Sequence, residues 1–228
     1  MMDALSRCPL FAGMDVAERT ELCRCLGTTK RKCKKGEAIF LRGDRVTYCG
    51  VVLQGSIQAE SVNPLGERRI IAVHSVGAVF ADVLAVSTDC RSPLDLLAAE
   101  AGTELLLIPA ASLFGGCSRA CGIHEQFRRN LMAVLADKYW QQRRRCGYLE
   151  KPTLRARIAA RLLYEAKRQK SDIFSLGCGR EALAGELGAN RSALSRELSR
   201  MKEEGLIDSY RDSFRLLNRA ALEQAAAR

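Results

Sequence analysis

GREALAGELGANRSALSRELSRMKEEGLI, residues 179–207, decides the fold of the C-terminal part of this chain. Its beginning predicts a short helix over residues 180–187, and Gly188 then permits a tight turn. Asn190 is a favourable N-cap residue, so a second helix is predicted to start directly after it. The apolar residues that recur on one face of this second helix are Leu194, Leu198 and Met201. Two short helices joined by a glycine turn are typical of a helix-turn-helix.

The opposite face of the second helix is entirely polar. It consists of Arg191, Ser192, Ser195, Arg196, Ser199 and Lys202. Guanidinium and hydroxyl groups on an exposed helix can donate hydrogen bonds to base edges and phosphates in a major groove. We therefore predict that this face, together with Arg180 and Asn190, contacts double-stranded DNA. The alternatives are that the spacing arises by chance or that the two helices serve subunit packing.

A wing is predicted after the two helices. Leu206 and Ile207 on one side and residues 214–217 on the other flank a polar turn at residues 208–213. Two short strands joined by such a turn form a β-hairpin. The C-terminal segment, residues 151–228, is therefore predicted to be a winged helix-turn-helix domain.

The positive charge of the chain lies in its second half. Residues 1–117 contain 13 Lys/Arg and 13 Asp/Glu, residues 118–150 contain 7 and 3, and residues 151–228 contain 16 and 10. The net charge of +10 therefore comes from residue 118 onward. A neutral half joined to a basic half is expected when only the basic end meets phosphates.

The first half has the texture of short β-strands separated by turns. Its apolar runs are residues 38–40, 51–53, 70–73 and 105–108, with glycines between or beside them. This pattern predicts an antiparallel β-roll. The fold class is thus predicted as α+β, with a β-roll sensor domain (1–117), a long dimerisation helix with a hinge (118–150) and the winged helix-turn-helix (151–228).

A long helix is predicted between the two domains, from about Gly122 to Leu149. Its apolar stripe consists of Phe127, Leu131, Val134 and Leu135, and it continues to Tyr139 and Trp140. Such a stripe needs a packing partner, and a second copy of the helix would place two DNA-reading domains around a two-fold axis. We therefore predict a homodimer that binds a palindromic DNA site. Packing of the stripe on the chain's own β-roll is the alternative.

Composition predicts a cytoplasmic protein that does not interact with membranes and is not an enzyme. No apolar run approaches the roughly 18 residues that cross a bilayer, and the N-terminus lacks the pattern of a secretion signal. The 10 cysteines are irregularly spaced, so they are expected to be reduced thiols that are mostly buried. With 2 histidines, no glycine-rich phosphate loop and no paired-carboxylate signature, the sequence gives no support for catalysis.

Several segments resemble the CRP/FNR family of bacterial transcription regulators, and the resemblance covers nearly the whole chain. It rests on KKGEAIFLRGD at 34–44, VVLQGSIQ at 51–58, LLLIP at 105–109 and NRSALSREL at 190–198. It implies that the β-roll is a sensor of the cyclic-nucleotide-binding type and that DNA contacts come from Arg191, Ser192, Ser195 and Arg196. RNA polymerase is a candidate partner. Because Ser192 stands where the best-known members carry a glutamate, their DNA site is not expected here.

The same resemblance indicates where a small-molecule effector would bind. Members that bind cyclic AMP carry Gly-Glu-Leu followed by Arg-Ser or Arg-Thr, in which the glutamate holds the ribose and the arginine pairs with the phosphate. The matching residues here are Phe80, Asp82, Val83, Leu84, Arg91 and Ser92. Ala81 replaces the glycine, Asp82 is one carbon shorter than glutamate and Pro93 follows the arginine. Cyclic AMP is therefore not expected, and the effector is unidentified.

A metal or haem site is the alternative sensor. Cys117, Cys121 and His124 stand at i, i+4 and i+7, so they would share one face of a helix. Thiolate and imidazole groups ligate zinc and haem iron, although two packed thiols and a hydrogen-bonded histidine would give the same spacing. No cofactor is assigned. Three hypotheses remain: a ligand-gated DNA-binding regulator, a metal- or haem-dependent redox sensor of the same fold, and a β-roll interaction module with a basic tail.

Overall fold

The computed structural model of the 228-residue chain describes residues 2–63, 66–115 and 122–227. It divides into two compact units, Met1–Asp137 and Lys138–Arg228. Each unit contains a hydrophobic core, and each is described by itself. The three-part division with boundaries after residues 117 and 150 stays a prediction.

The described residues of the first unit form short N-terminal helices followed by antiparallel strands. The helices are α1 (Met2–Ser6), α2 (Val16–Cys25) and α3 (Asp82–Ala85). The strands are β1 (Thr29–Cys33), β2 (Ala38–Phe40), β3 (Tyr48–Gln54), β4 (Ile57–Val62), β5 (Arg68–His74), β6 (Val79–Phe80), β7 (Asp95–Ala98) and β8 (Thr103–Pro109). They make two antiparallel sheets in the orders β1-β8-β3-β6 and β2-β7-β4-β5. The predicted β-roll is confirmed.

Strand β3 separates two clusters of the β-roll core. Val51 belongs to one cluster and its neighbour Val52 to the other, because successive side chains of a strand point to opposite faces. Gly50 lies in the same strand, and a Cβ there would be 2.3 Å from Cζ of Phe80 and 2.7 Å from the carbonyl oxygen of Leu106. The absence of a side chain at Gly50 therefore lets the Phe80 ring lie directly on the strand.

The long helix α4 (Gly122–Leu149) has the predicted bounds, but the structure corrects the role of its apolar stripe. Phe127, Leu131 and Val134 are buried in the core of the first unit, and Leu135 packs half-buried against the same core. These four residues, predicted to mediate dimerisation, thus already have a partner within the chain. The physical reason is that the β-roll also has an apolar face to cover, and the helix that follows it covers that face.

The second unit is a winged helix-turn-helix, as predicted. Its further helices are α5 (Leu154–Gln169), α6 (Arg180–Glu186), α7 (Arg191–Glu203) and α8 (Arg219–Ala227). Its strands are β9 (Ile173–Ser175), β10 (Ile207–Tyr210) and β11 (Ser213–Leu216), in the antiparallel order β10-β11-β9. None of the helices in the described parts of either unit combines the length and the apolar composition needed to cross a membrane.

Three local details of the second unit differ from the sequence-based expectation. The wing turn is only Arg211–Asp212, because the strands extend into the polar segment 208–213. Strand β9 was not expected, since three residues are too few to reveal a period of two. Helix α5 is capped by Thr153, whose hydroxyl accepts the N–H three residues on at 3.1 Å, so Pro152 precedes the cap and does not open the helix.

Candidate nucleic-acid interface

The apolar face of α7 anchors this helix in the second unit. Leu194, Leu198 and Met201 are at most 3% exposed and lie in one core cluster with Leu183 and Leu187. Burying each such side chain contributes roughly 1.5–3 kcal/mol, so the rotation of the helix about its axis is strongly fixed. The polar face predicted from the sequence is consequently held at the surface.

The turn between α6 and α7 depends on glycine for two reasons. Gly188 has a φ of +64°, and a Cβ there would be 2.7 Å from Cδ2 of Leu149. Asn190 caps α7 as predicted, because its Oδ1 accepts the N–H of Ala193 at 2.7 Å and the hydroxyl of Ser192 at 2.8 Å. The side chains of Asn190 and Ser192, both predicted to contact DNA, are therefore engaged in capping the helix.

The remaining polar face of α7 carries free cations. Arg191, Ser195, Arg196 and Ser199 are all exposed. Within the residues that the structure describes, the guanidinium groups of Arg191 and Arg196 have neither an ion-pair nor a hydrogen-bond partner. A guanidinium group offers donors in a planar fork that fits a guanine edge or a phosphate. These two residues are thus available to an external anionic partner.

Other arginines of the second unit hold the helix-turn-helix together. Arg155 of α5 bonds Glu197 of α7 at 2.6 Å and Glu204 at 2.6 and 2.7 Å, and the bonds to Glu204 and Glu197 raise its pKa. Arg157 donates to the carbonyl of Leu187 at 3.1 Å. Because these groups are satisfied by the protein, they are not free to neutralise phosphates. The structure thereby separates structural arginines from available ones.

Arg180 lies beside the recognition helix α7, at the edge of a cavity. Its guanidinium carbon is 4.9 Å from the centroid of the Phe214 ring, and its Nη2 donates to the hydroxyl of Ser209 at 3.3 Å. Burial lowers the pKa of Arg180, and among the described residues its buried Nη1 has no hydrogen-bond partner. The cavity, of about 240 Å³, is lined by Arg180, Ser195, Leu198, Ser199, Lys202 and Ser209. Such a cationic, hydroxyl-rich lining suits an anionic group.

Lys202 is tied to the wing. Its Nζ lies 2.7 Å from Oδ1 of Asp208, and this contact is the main reason that the pKa of Asp208 is lowered. The ammonium charge of Lys202 is therefore partly compensated, unlike the charges of Arg191 and Arg196. The pair also connects the C-terminal end of α7 to strand β10.

The sequence-based site did not include the tip of the wing. Tyr210 is 73% exposed, and the guanidinium carbon of Arg211 lies 5.4 Å from the centroid of its ring. The signal was present in DSYRDS at 208–213, where an aromatic residue precedes an arginine at a hairpin turn. It was missed because the whole segment was interpreted as a polar connection.

The candidate effector residues are divided between the interior and the surface of the β-roll. Phe80, Asp82 and Ser92 are buried, Leu84 is half-buried, and Val83 and Arg91 are exposed. The hydroxyl of Ser92 donates to a backbone carbonyl at 2.6 Å, and Nη1 of Arg91 donates to another at 2.9 Å. Both side chains are thus held by the protein backbone, and the six residues do not form one exposed cluster.

Two of the three candidate metal ligands, Cys117 and Cys121, lie outside the described residues. His124 is 6% exposed on α4. Among residues 2–63, 66–115 and 122–227, no group of three or more His, Cys, Asp or Glu side chains is arranged to hold a metal ion. Burial raises the pKa of Cys8 to about 11, so this thiol is protonated at neutral pH and is a poor nucleophile. A metal site at residues 117–124 stays a prediction.

Comparisons with known proteins agree with this architecture. A family model for the cyclic nucleotide-binding domain matches residues 30–119, and one for the Crp-like helix-turn-helix domain matches residues 156–225. The transcriptional activator protein FnrA of Stutzerimonas stutzeri is 25% identical over 211 residues, which are 84% of this chain and 78% of that protein.

Two solved structures share the fold. FixK2 from Bradyrhizobium japonicum is 25% identical, with a TM-score of 0.53 over 88% of this chain and 98% of that chain. The catabolite activator protein of Thermus thermophilus is 23% identical, with a TM-score of 0.54 over 96% of this chain and 98% of that chain. A β-roll followed by a winged helix-turn-helix defines a ligand-sensing type of DNA-binding regulator. The chain belongs to the CRP/FNR family of transcription regulators.

Proposed function

We propose that the chain is a homodimeric, sequence-specific transcription regulator that reads DNA with α7 and responds to a signal received by its β-roll. One observation carries the proposal. The guanidinium groups of Arg191 and Arg196 are exposed and free among the described residues, on a helix whose apolar face is buried. Leaving two cations unpaired while Arg155 and Arg157 are satisfied is expected for a surface that meets phosphates and guanine edges.

The remaining members of the polar face receive graded roles in this proposal. Arg191, Ser195, Arg196 and Ser199 contact bases or phosphates directly. Arg180 and Lys202 contribute positive potential around the 240 Å³ cavity, which fits a backbone phosphate. Asn190 and Ser192 contribute by fixing the start of the helix, because their side chains bond to each other. Contact with RNA polymerase, through which such a regulator would act in the cytoplasm, stays a prediction.

Selection of duplexes from random-sequence DNA by the full-length protein tests this function. We expect enrichment of a pseudo-palindrome whose half-sites are about 10 base pairs apart, or a multiple of that, because two α7 helices must meet one face of the duplex. Binding should weaken steeply with salt, since each neutralised phosphate releases counterions. Equal binding to all sequences would contradict the proposal and favour a basic tail without reading function.

The dimer seam is proposed on the exposed side of α4. With Phe127 and Leu131 buried in the chain's own core, the apolar residues left on the surface of this helix include Met132, Tyr139 and Trp140, exposed by 59%, 63% and 56%. Met132 and Tyr139 are seven residues apart, so they recur on one face of the helix, as a coiled-coil seam requires. A second copy of the same helix is the occupant that a two-fold regulator supplies.

Tyr139→Glu is expected to weaken self-association at least about 10-fold, because it places a charge in the seam where an aromatic side chain would be buried. Sedimentation velocity over a concentration series measures this effect. Gln141→Glu is the matched control, since Gln141 is also exposed on α4 but points to another side of the helix. Equal dissociation constants for the two variants would place the seam elsewhere.

The signal received by the β-roll is proposed to be a small molecule or a redox change that is not yet identified. The match of residues 30–119 to a cyclic nucleotide-binding domain supports a ligand site in this unit, while Ala81 and Asp82 depart from the cyclic AMP pattern. A thermal-shift screen with cyclic nucleotides, haem and zinc tests it, because a ligand that binds only the folded form raises Tm. Metal analysis of anaerobically purified protein tests the alternative of a metal or haem sensor.

A further inference from the structure

The wing ends in a strained two-residue turn. Tyr210 pairs with Ser213, which leaves Arg211 and Asp212 as the turn residues. Arg211 has a φ of +54°, a left-handed backbone conformation that glycine or asparagine adopts at lower cost in such turns. An arginine in this place is therefore not explained by the needs of the turn, and strained residues of this kind concentrate at functional positions.

The surroundings hold the turn in this conformation. The hydroxyl of Ser175 donates to Oδ2 of Asp212 at 2.7 Å, and the N–H of Leu176 donates to the Asp212 carbonyl at 2.9 Å. The bond from Ser175 is the main reason that the pKa of Asp212 is lowered. The turn is thus fixed to strand β9, and Arg211 starts from a defined backbone position.

The tip presents a cation to the outside. Tyr210, 73% exposed, lies beside the Arg211 guanidinium at 5.4 Å. Of the two nearby carboxylates, that of Asp212 bonds Ser175 and that of Asp208 bonds Lys202. The guanidinium of Arg211 is therefore the charge that the wing offers to a partner.

The tip is also coupled to the recognition helix. Lys202 of α7 binds Asp208 of β10 at 2.7 Å, and the N–H of Leu206 donates to the carbonyl of Met201 at 2.9 Å. When α7 lies in a major groove, the hairpin that follows it meets the next feature along the duplex, across one phosphate backbone. That feature is a minor groove about 6 Å wide, which excludes a helix but admits an arginine side chain.

We infer that Arg211, supported by Tyr210, enters the minor groove beside each half-site and makes the protein select A·T pairs there. This inference rests on the proposed function. A narrow A·T minor groove concentrates negative potential and attracts a guanidinium group, whereas the 2-amino group of guanine obstructs the floor of a G·C groove. Arg211 would therefore contribute specificity at positions that α7 does not touch.

The test compares Arg211→Asn with Lys170→Asn. Lys170 is the matched control because it is an exposed cation with a φ of +51°, so both changes remove one charge and relieve one left-handed residue. It lines a different cavity, together with Asp172 and Arg219. Both variants are expected to keep or slightly raise Tm, because asparagine tolerates this backbone conformation. Only Arg211→Asn is expected to weaken binding to the selected duplex, by about 10-fold.

Base substitutions in the flanks of the selected duplex identify the groove. For the wild type, replacing flanking A·T pairs by G·C is expected to lower affinity about 5- to 10-fold, and inosine·cytosine pairs should restore it. These pairs have the minor groove of A·T and the major groove of G·C. Arg211→Asn should be indifferent to all three. If the wild type responds to inosine·cytosine as to G·C, or if Arg211→Asn keeps the flank preference, the inference is overturned while the proposed function stands. If no sequence is enriched at all, the proposed function itself fails.

Discussion

A variant carrying Arg191→Ala and Arg196→Ala is expected to lose at least about 30-fold of the affinity for its selected duplex, and the loss could reach about four orders of magnitude. Each bidentate arginine contact is worth about 1–3 kcal/mol, so two of them contribute about 2–6 kcal/mol. Fluorescence anisotropy at one fixed salt concentration measures the affinity. The slope of affinity against salt should also decrease, because two cations no longer displace counterions.

The fold should survive this double substitution. Both side chains are exposed and free among the described residues, and alanine is a better helix former than arginine, so Tm is expected to be unchanged or slightly higher. Lys34→Ala with Lys35→Ala is the control, since it removes the same charge from two exposed residues of the other unit. We expect less than about a 3-fold loss for the control. A double mutant that binds as tightly as the wild type would show that α7 is not the reading element.

Glu165→Gln is expected to destabilise the second unit by about 3 kcal/mol at neutral pH. Glu165 is 3% exposed, and its carboxylate accepts from Arg161 Nη1 at 2.9 Å, from Arg168 Nε at 2.8 Å and from Gln169 Nε2 at 2.6 Å. Burial raises the pKa of this carboxyl, but the bonds from Arg168, Gln169 and Arg161 together lower it to about 2. A neutral amide leaves the half-buried guanidinium of Arg161 with Glu186 as its remaining acidic partner.

The effect of Glu165→Gln should depend on pH in a defined direction. The folded-state pKa of about 2 lies below the ordinary value of 4.5, so the carboxylate stabilises the fold above pH 4.5. As the pH falls from 4.5 towards 2, the wild type takes up the proton and loses this contribution. The difference between wild type and variant should therefore shrink over this range, because each unit of pKa shift corresponds to about 1.4 kcal/mol.

Urea unfolding at neutral pH and at two acidic values measures this difference. Glu150→Gln is the control, because Glu150 is 70% exposed and lies 3.7 Å from Arg143 at the surface. Exposed ion pairs contribute about 0–1 kcal/mol, so little change is expected. A difference between wild type and Glu165→Gln that stays constant down to pH 3 would mean that the carboxylate charge is not the source of the stability.

Much of the recognition helix could be predicted before any coordinates, because its signals are local. The cap at Asn190, the glycine of the turn and the apolar spacing of Leu194, Leu198 and Met201 all lie within a few residues of one another. Helical and extended periodicity likewise predicted the β-roll and the bounds of α4. The wing turn was predicted as too long because both of its ends are polar and the strand pairing that shortens it cannot be read from composition.

The sequence by itself determined the order of the elements and which face of each is apolar, since both follow from the repeat of the backbone conformation. Tertiary structure alone decided which partner each face meets. Phe127 and Leu131 could have faced a second helix or the β-roll, and only the packed first unit places them in its core. In the same way, Arg155 and Arg191 carry the same group, but Arg155 finds Glu197, distant along the chain, while Arg191 stays free among the described residues. Long-range contacts of this kind depend on how the elements assemble, and no local pattern encodes them.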